Sequence, residues 1–221
     1  MTRPHEDIER HTIVDHRPGG PPVAFAMGTR CAIEVAHVEA ARVGAAISTY
    51  ETLIEHARAR SASGSPAAVL RSVFNRRVIA LLGIDGHDGF RHVAAAWDDH
   101  HLFAEHHAVA ESGSLALYRV AATAGDGRID PTSTNAYVFE RIAREPAWVE
   151  ELIGPVVEAQ GFRGLLVLGR DDARASAVIY RFRHGLEIDA FRASPVAMAI
   201  LGPIGAPGES GYAVHPVKTF A

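Results

Sequence analysis

The stretch FRGLLVLGRDDARASAVIYRF, residues 162–182, decides how the second half of this 221-residue chain folds. Two apolar runs, 162–168 and 175–182, flank a polar turn at 170–172. Short runs rich in Leu, Val, Ile and Tyr that are bounded by Asp and Gly are typical of β-strands. Gly161 directly precedes the first run, where a glycine suits the end of a helix. We therefore predict a helix that leads into two consecutive strands.

The rest of the second half follows from the spacing of its apolar residues. We predict a strand, a helix, a short second helix and a last strand at 136–142, 148–159, 186–192 and 211–217. Pro155 lies inside the first of these helices and is expected to kink it or to end it early. Residues 196–210 are apolar but rich in Pro and Gly, so we interpret them as an extended connection.

The first half repeats this order of elements. Its predicted strand, helix, two strands, helix and last strand lie at 24–35, 38–60, 72–84, 90–97, 99–111 and 115–122. Each half then has the order β-α-β-β-α-β, and two such units bury more apolar surface when their sheets pack together. The predicted fold class is therefore α+β, with two tandem ferredoxin-like repeats packed as a pseudo-dimer within one chain.

Changes in composition along the chain set the predicted domain boundaries. Residues 1–22 are polar and end in a run of Pro and Gly, which predicts a flexible N-terminal tail. The first repeat is expected over 23–123 and the second over 134–221. A linker rich in Gly and Asp, residues 124–133, separates them.

Composition argues against several classes of function. A net charge of −4 lacks the concentrated basic face that nucleic acids require. Cys31 is the single cysteine, which rules out an internal disulfide, and its place on the apolar face of a predicted strand indicates a core residue rather than a nucleophile. Neither a signal peptide nor an apolar stretch long enough to span a bilayer is evident. We expect a cytoplasmic protein that binds neither nucleic acid nor membrane.

The segment WDDHHLFAEH, residues 97–106, carries a resemblance to a known family. It resembles the antibiotic-biosynthesis monooxygenases, whose dimeric α+β barrels have a Trp, a polar cap, an apolar residue and a His at the third strand and second helix. Trp97, Phe103 and His106 match the motif positions. In the second half, Tyr180 stands near the Trp position. Residues 161–168 are similar to the family's second strand, which opens with Gly-Phe; the first half lacks that pair.

The resemblance covers most of residues 24–217 and implies both a packing and an activity. The two repeats would pack as an α+β barrel pseudo-dimer. Tandem chains of this size resemble oxygenases that tailor aromatic polyketides in antibiotic biosynthesis, by oxidation or by the oxidative C–C cleavage that opens an angucycline ring. Such enzymes use dioxygen either without a cofactor or with diffusible reduced flavin, FADH2 or FMNH2. The implied partners are an aromatic small molecule, dioxygen and, where flavin is used, a flavin reductase.

Candidate roles follow from the chemistry of the side chains. His106 is the candidate base, because a histidine near pH 7 can take a proton from a phenol or enol and leave an electron-rich anion. Asn75 and Arg77 share one face of a predicted strand and are candidate partners for that anion. The residues against which a flat aromatic substrate would pack are Trp97, Phe103, Tyr50, Tyr180 and Tyr137.

Metal and resident nucleotide cofactors are not expected. A helix places two metal ligands on one face when they are three or four residues apart, and His100, His101, His106 and His107 do not have that spacing. The chain has no phosphate-binding glycine motif and no Gly-x-Ser-x-Gly elbow. Any flavin would therefore be borrowed rather than resident.

Two other interpretations of the same residues stay open. A non-redox polyketide cyclase needs the same apolar cavity, aromatic walls and single base, and it would work without oxygen. A non-catalytic ligand-binding barrel would bind tightly, form no product and tolerate substitution of His106. Which repeat holds the working site, and whether the chain is a monomer or a homodimer, also stay open.

Overall fold

The computed structural model of the protein describes residues 18–60, 64–72, 76–98, 115–142, 149–170, 175–201 and 210–221. The strands in these ranges are β1 (Val23–Ala24), β2 (Arg30–His37), β3 (Ala67–Ser72), β4 (Arg77–Ile84), β5 (Leu115–Gly125), β6 (Arg128–Ile129), β7 (Ala136–Ile142), β8 (Phe162–Arg170), β9 (Ser176–Phe182) and β10 (Ser210–Phe220). The helices are α1 (Val43–Arg60), α2 (Gly86–Trp97), α3 (Val149–Glu158), α4 (Gly185–Arg192) and α5 (Pro195–Leu201).

Eight strands close into a barrel in the order β10-β3-β4-β2-β5-β8-β9-β7, and every neighbouring pair is antiparallel. Strands β2 to β5 belong to the first half of the chain, and β7 to β10 belong to the second. Numbered within its own half, each set of strands has the same order, 2-3-1-4. The halves meet where β5 pairs with β8 and where β10 pairs with β3. The predicted fold of two tandem ferredoxin-like repeats in a barrel pseudo-dimer is confirmed.

The barrel interior is a packed apolar core. Because side chains alternate along a strand, every second residue of each strand points inward. Ile33, Leu81, Phe139 and Leu168 are among the fully buried residues of this interior. The interior is therefore filled by side chains contributed by both repeats.

The outer faces of the barrel are covered by helices. Helices α1 and α2 pack on the first repeat around Leu53 and Ala80, and we call this apolar cluster the first layer. Helices α3, α4 and α5 pack on the second repeat around Leu152 and Val178, and we call that cluster the second layer. None of the helices in the described part of the chain is both long and apolar enough to cross a bilayer.

The prediction of a strand over 90–97 is wrong, since this segment belongs to helix α2. Phe90, Val93 and Trp97 recur every three or four residues and pack into the first layer, which is a helical period. The alanines at 94–96 also favour a helix, because alanine has the highest helix propensity. Trp97 therefore ends a helix and not a strand. The helix predicted over 99–111 lies outside the described residues.

Two of the predicted strands are each divided in the structure. The segment 72–84 includes the end of β3 and all of β4. Arg76, directly before β4, has a φ of 47°, which an extended strand does not contain. The segment 24–35 is divided between β1 and β2, and Gly28 with a φ of 85° lies in the turn between them.

The second half follows its prediction more closely. Strand β7 has the predicted bounds, β8 and β9 pair as neighbours, and Gly161 before β8 has a φ of 77°. Helix α3 continues through Pro155 to Glu158 and so does not end early. The connection predicted over 196–210 is wrong for its first part, which is α5. That helix starts at Pro195, and the Ala197 amide donates to the Ser194 side chain at 3.2 Å, which caps the first turn.

Residues 124–133, predicted as a linker, contain strand β6, which pairs with β1. Arg181 on β9 holds this segment through an ion pair of 2.8 Å with Asp126. The Tyr137 hydroxyl accepts a hydrogen bond of 3.2 Å from the Asp130 amide. The β1–β6 pair contributes side chains to the same apolar cluster as the barrel interior, so it covers one end of the barrel. The domain boundaries themselves stay a prediction.

Cys31 lies on β2 and is fully buried in the barrel interior. Burial raises the pKa of its thiol to about 12, so little reactive thiolate exists near neutral pH. We expect iodoacetamide to label Cys31 readily in the urea-unfolded chain but hardly at all in the folded chain, as measured by intact mass. Rapid labelling of the folded chain would contradict this burial.

Candidate functional site

A buried carboxylate marks the first layer. Glu34 lies on β2 between Ala32 and Ala36, on the strand face that α1 and α2 cover, and it is 3% exposed. A carboxylate loses its hydration when it is buried, and that loss must be offset by hydrogen-bond donors. The contacts of Glu34 therefore define the site.

Two neutral side chains from two different helices lie next to the Glu34 carboxylate. The indole N–H of Trp97, the last residue of α2, donates to Glu34 Oε2. The hydroxyl of Tyr50, which is fully buried on α1, lies close enough to Glu34 for the charge of the carboxylate to act on it. We call these three residues the Glu34 cluster. All three residues are buried, and the next residue after Trp97, Asp98, is exposed at the end of α2.

The pKa of the Tyr50 hydroxyl is raised well above its ordinary value. Burial is the largest cause, and the nearby negative charge of Glu34 adds to it. Tyr50 is therefore neutral at physiological pH. A tyrosine hydroxyl can donate one hydrogen bond and accept another, so a tyrosine beside a carboxylate can connect a ligand hydroxyl to it.

The raised pKa of Tyr50 predicts a pH dependence of stability. Tyrosine in the unfolded chain ionises near pH 10, whereas Tyr50 in the folded chain keeps its proton to higher pH. The resulting stabilisation is complete below about pH 10 and is lost as the pH rises further. We expect the free energy of unfolding to fall more steeply above about pH 10 in the wild-type chain than in Tyr50→Phe, measured by urea unfolding at several pH values. Equal slopes in the two chains would contradict the assignment.

The structure places three of the candidate residues away from the Glu34 cluster. Arg77 begins β4 and shares a strand face with Ile79, which points into the barrel, so it lies on the opposite side of the sheet from Trp97. Tyr137 also faces the barrel interior. Tyr180 lies in the second layer beside Phe191, with ring centroids 6.0 Å apart.

Of the candidate binding residues, the structure brings Trp97 and Tyr50 together. Asn75, Phe103 and His106 lie outside the described residues, so their roles stay predictions. Arg77 is not next to the site that Trp97 and Tyr50 form, because alternation along β4 turns its side chain to the barrel face.

Sequence reasoning missed Glu34. The signal that could have revealed it is the run CAIEVA, residues 31–36, in which one acidic residue interrupts an otherwise apolar strand. Acidic residues are seldom found on the buried face of a strand, because a buried carboxylate needs hydrogen-bond or charge partners. Tyr50, on the apolar face of the following helix, could then have been recognised as one of them.

The second layer contains a buried ion pair. Arg192, the last residue of α4, contacts Glu140 on β7 with an N–O distance of 2.8 Å, and the side chains are 6% and 3% exposed. Tyr180, Phe182 and Phe191 pack in the same layer, with ring centroids of neighbours 5.8 and 6.0 Å apart. The carboxylate of the second layer thus has a cationic partner.

Within the described ranges, no three His, Cys, Asp or Glu side chains are grouped so that they could hold a metal ion. A groove of about 560 Å³ lies between α3, α4 and α5 on the outer surface of the second repeat, with Pro155, Leu186, Phe191 and Val196 among its lining residues. This groove is separate from the Glu34 cluster, which belongs to the first repeat.

No protein-family model and no curated protein sequence matches this chain. Solved structures of monooxygenase-like proteins do match it over most of its length, and they share its α+β fold. The resemblance stated from residues 97–106 is confirmed at the level of the fold.

Three of these structures show how close the likeness is. An anthrone oxidase-like protein is 15% identical with a TM-score of 0.69, and the match covers 90% of this chain and 95% of that one. A candidate monooxygenase from Lactobacillus acidophilus is 8% identical with a TM-score of 0.57, over 88% and 96% of the two chains. Another from Fusobacterium nucleatum is 10% identical with a TM-score of 0.60, over 89% and 95%.

Proposed function

We propose that the protein is an oxygenase that acts on a phenolic aromatic substrate of the polyketide type, with its reactive site at the Glu34 cluster. The observation that carries the proposal is the buried carboxylate of Glu34, with the Trp97 indole hydrogen-bonded to it and Tyr50 beside it, in a fold shared with monooxygenase-like proteins. A proton acceptor, a neutral hydroxyl and an aromatic surface are the groups that activation of a phenol requires. The anthrone oxidase-like neighbour supports the same substrate class by its name.

The first step is the removal of a proton from the substrate. The substrate hydroxyl donates to the oxygen of Tyr50, and Tyr50 passes its own proton to Glu34. The products of this step are a substrate phenolate and a neutral Glu34 carboxyl group. The Trp97 N–H holds the carboxylate in position, and the ring of Trp97 offers a surface for a flat substrate. His106, on the motif position that follows Trp97, is proposed to exchange the proton with solvent.

The second step transfers electrons from the substrate anion to dioxygen. Oxidation of an anthrone-type CH2 group to C=O releases four electrons, and dioxygen takes up four. One oxygen atom then ends in the new carbonyl group and the other in water, so no outside reductant is required. Aromatic hydroxylation by one atom of dioxygen instead requires two further electrons, which reduced flavin from a flavin reductase would supply.

Oxygen uptake tests the proposal. The protein is incubated with 1,8-dihydroxyanthrone and with other aromatic polyketide intermediates in an oxygen electrode, with and without FMN, NADH and a flavin reductase. Uptake that requires both substrate and folded protein, with the quinone identified by mass, is the expected result. Heat-denatured protein controls for spontaneous oxidation of the anthrone, and the reductase arm decides whether flavin is required.

Two other results would overturn the oxygenase. Product that still forms under nitrogen would identify a cyclase of the same fold. Tight binding of the intermediates without uptake and without product would identify a ligand-binding barrel.

A further inference from the structure

Glu34 and Glu140 occupy equivalent positions in the two repeats. Each lies on the first strand of its repeat and faces the helices. Glu34 lies opposite Ala80, and Glu140 lies opposite Val178. Ala80 and Val178 are both on the third strand of their repeat, four residues before its end. Each acid also lies opposite the start of the fourth strand. The same strand pairing therefore delivers a buried carboxylate to both layers.

The residue that meets this carboxylate differs between the repeats. In each repeat a helix follows the third strand, α2 in the first and α4 in the second. Trp97, the last residue of α2, gives Glu34 a neutral N–H donor and a ring surface. Arg192, the last residue of α4, gives Glu140 a guanidinium group at 2.8 Å. One helix end thus supplies an aromatic wall and the other supplies a cation.

The sheet beneath the two carboxylates also differs. Strand pairing matches seven further positions on the helix-facing side of the two sheets. At two of them the first repeat has the larger side chain, Arg30 against Ala136 and Val78 against Ser176, and at the other five the second repeat has the larger one. Those five pairs are Ala32 and Val138, Ala36 and Ile142, Ala80 and Val178, Leu82 and Tyr180, and Ile84 and Phe182. The small residues of the first repeat leave room for Tyr50 and Trp97 to reach Glu34.

We infer that the chain has one reactive site, in the first repeat, and that the Glu140–Arg192 ion pair closes the equivalent position of the second repeat. This inference rests on the proposed function and names the repeat that performs it. Arg192 holds the Glu140 carboxylate in an ion pair and takes the place of the aromatic wall. Tyr180 and Phe182 fill the sheet side of the layer, where a flat ring would otherwise lie.

Binding stoichiometry in the full-length chain tests the inference. The probe is 1,8-dihydroxyanthraquinone, the air-stable product expected from the anthrone, titrated by isothermal calorimetry. We expect one molecule to bind per wild-type chain, and Trp97→Ala to weaken this binding about tenfold because an aromatic contact is lost. The double variant Glu140→Met/Arg192→Met should bind one molecule with unchanged affinity and consume oxygen at the wild-type rate.

The double variant removes both charges of the pair together, so that no single charge is left buried and the fold is retained. It separates one site from two even if Trp97→Ala fails to fold. Two quinone molecules per wild-type chain, no binding to the wild-type chain, or loss of binding in the double variant would each overturn the inference. Oxygen uptake with two bound molecules would leave the proposed function intact and remove the inference. One bound molecule without oxygen uptake would remove the proposed oxygenase function and leave the single site in place.

Discussion

Glu34→Gln is expected to lower kcat for substrate-dependent oxygen uptake by about 10²- to 10⁴-fold, the usual contribution of a positioned acid–base group. The amide has nearly the size of the carboxylate, but it does not take a proton from Tyr50. KM is expected to change little, since the ring of Trp97 and the small residues beneath it stay in place. Initial rates at saturating and limiting 1,8-dihydroxyanthrone in the oxygen electrode measure the two parameters separately.

Glu39→Gln is the matched control for this variant. Glu39 is exposed just before α1, 4.0 Å from Arg42, so the same chemical change is made outside the first layer. Its kcat should equal that of the wild-type chain. Near-ultraviolet circular dichroism of Glu34→Gln checks that the surroundings of Trp97 are retained. An unchanged kcat in a correctly folded Glu34→Gln chain would exclude Glu34 from the proton transfer.

Arg192→Met is expected to lower the free energy of unfolding by about 3–5 kcal/mol, because it leaves the Glu140 carboxylate buried without this cation. The double variant Glu140→Met/Arg192→Met should regain most of this loss, since apolar residues of similar volume replace both charges. Urea unfolding, followed by far-ultraviolet circular dichroism, measures all three chains.

Arg91→Met serves as the control for the loss of an arginine as such. Arg91 pairs with Asp88 at 3.6 Å on the surface of α2, and both side chains are more than four-fifths exposed. Exposed pairs contribute little to stability, so the unfolding midpoint of Arg91→Met should stay close to that of the wild-type chain. If the double variant were no more stable than Arg192→Met, the ion pair would not be the reason for the loss.

The order of elements in each repeat could be predicted from hydrophobic periodicity, but several individual elements could not, among them the helix over 90–97, helix α5 and strand β6. Strand β7 and the hairpin of β8 and β9 are long apolar runs with polar turns, and their bounds match the prediction closely. The segment 90–97 is short and mostly apolar, so the alternating pattern of a strand and the three-to-four spacing of a helix overlap there. The structure decides for the helix, because Phe90, Val93 and Trp97 all pack on the outer face of the barrel sheet in the first layer.

The candidate site could be predicted in part. Trp97 and Tyr50 were recognisable as large side chains on apolar faces, and the structure joins them. Glu34 itself lies more than fifteen residues before Tyr50 in the sequence, and only the fold shows that its carboxylate lies beside both side chains. Arg77 and Tyr137 were predicted near the same site, but both face the barrel interior. Successive residues of a strand point to opposite faces, so the sequence alone did not show which face each one takes.

The repeated strand order within a single chain has an evolutionary consequence. In a symmetric pair of identical subunits, every substitution enters both sites at once, so a change that stabilises one site at the expense of its chemistry harms the other equally. A chain that carries both units can place Trp97 in one copy and Arg192 in the other. Duplication and fusion thus allow one copy to be selected for turnover and its twin for rigidity.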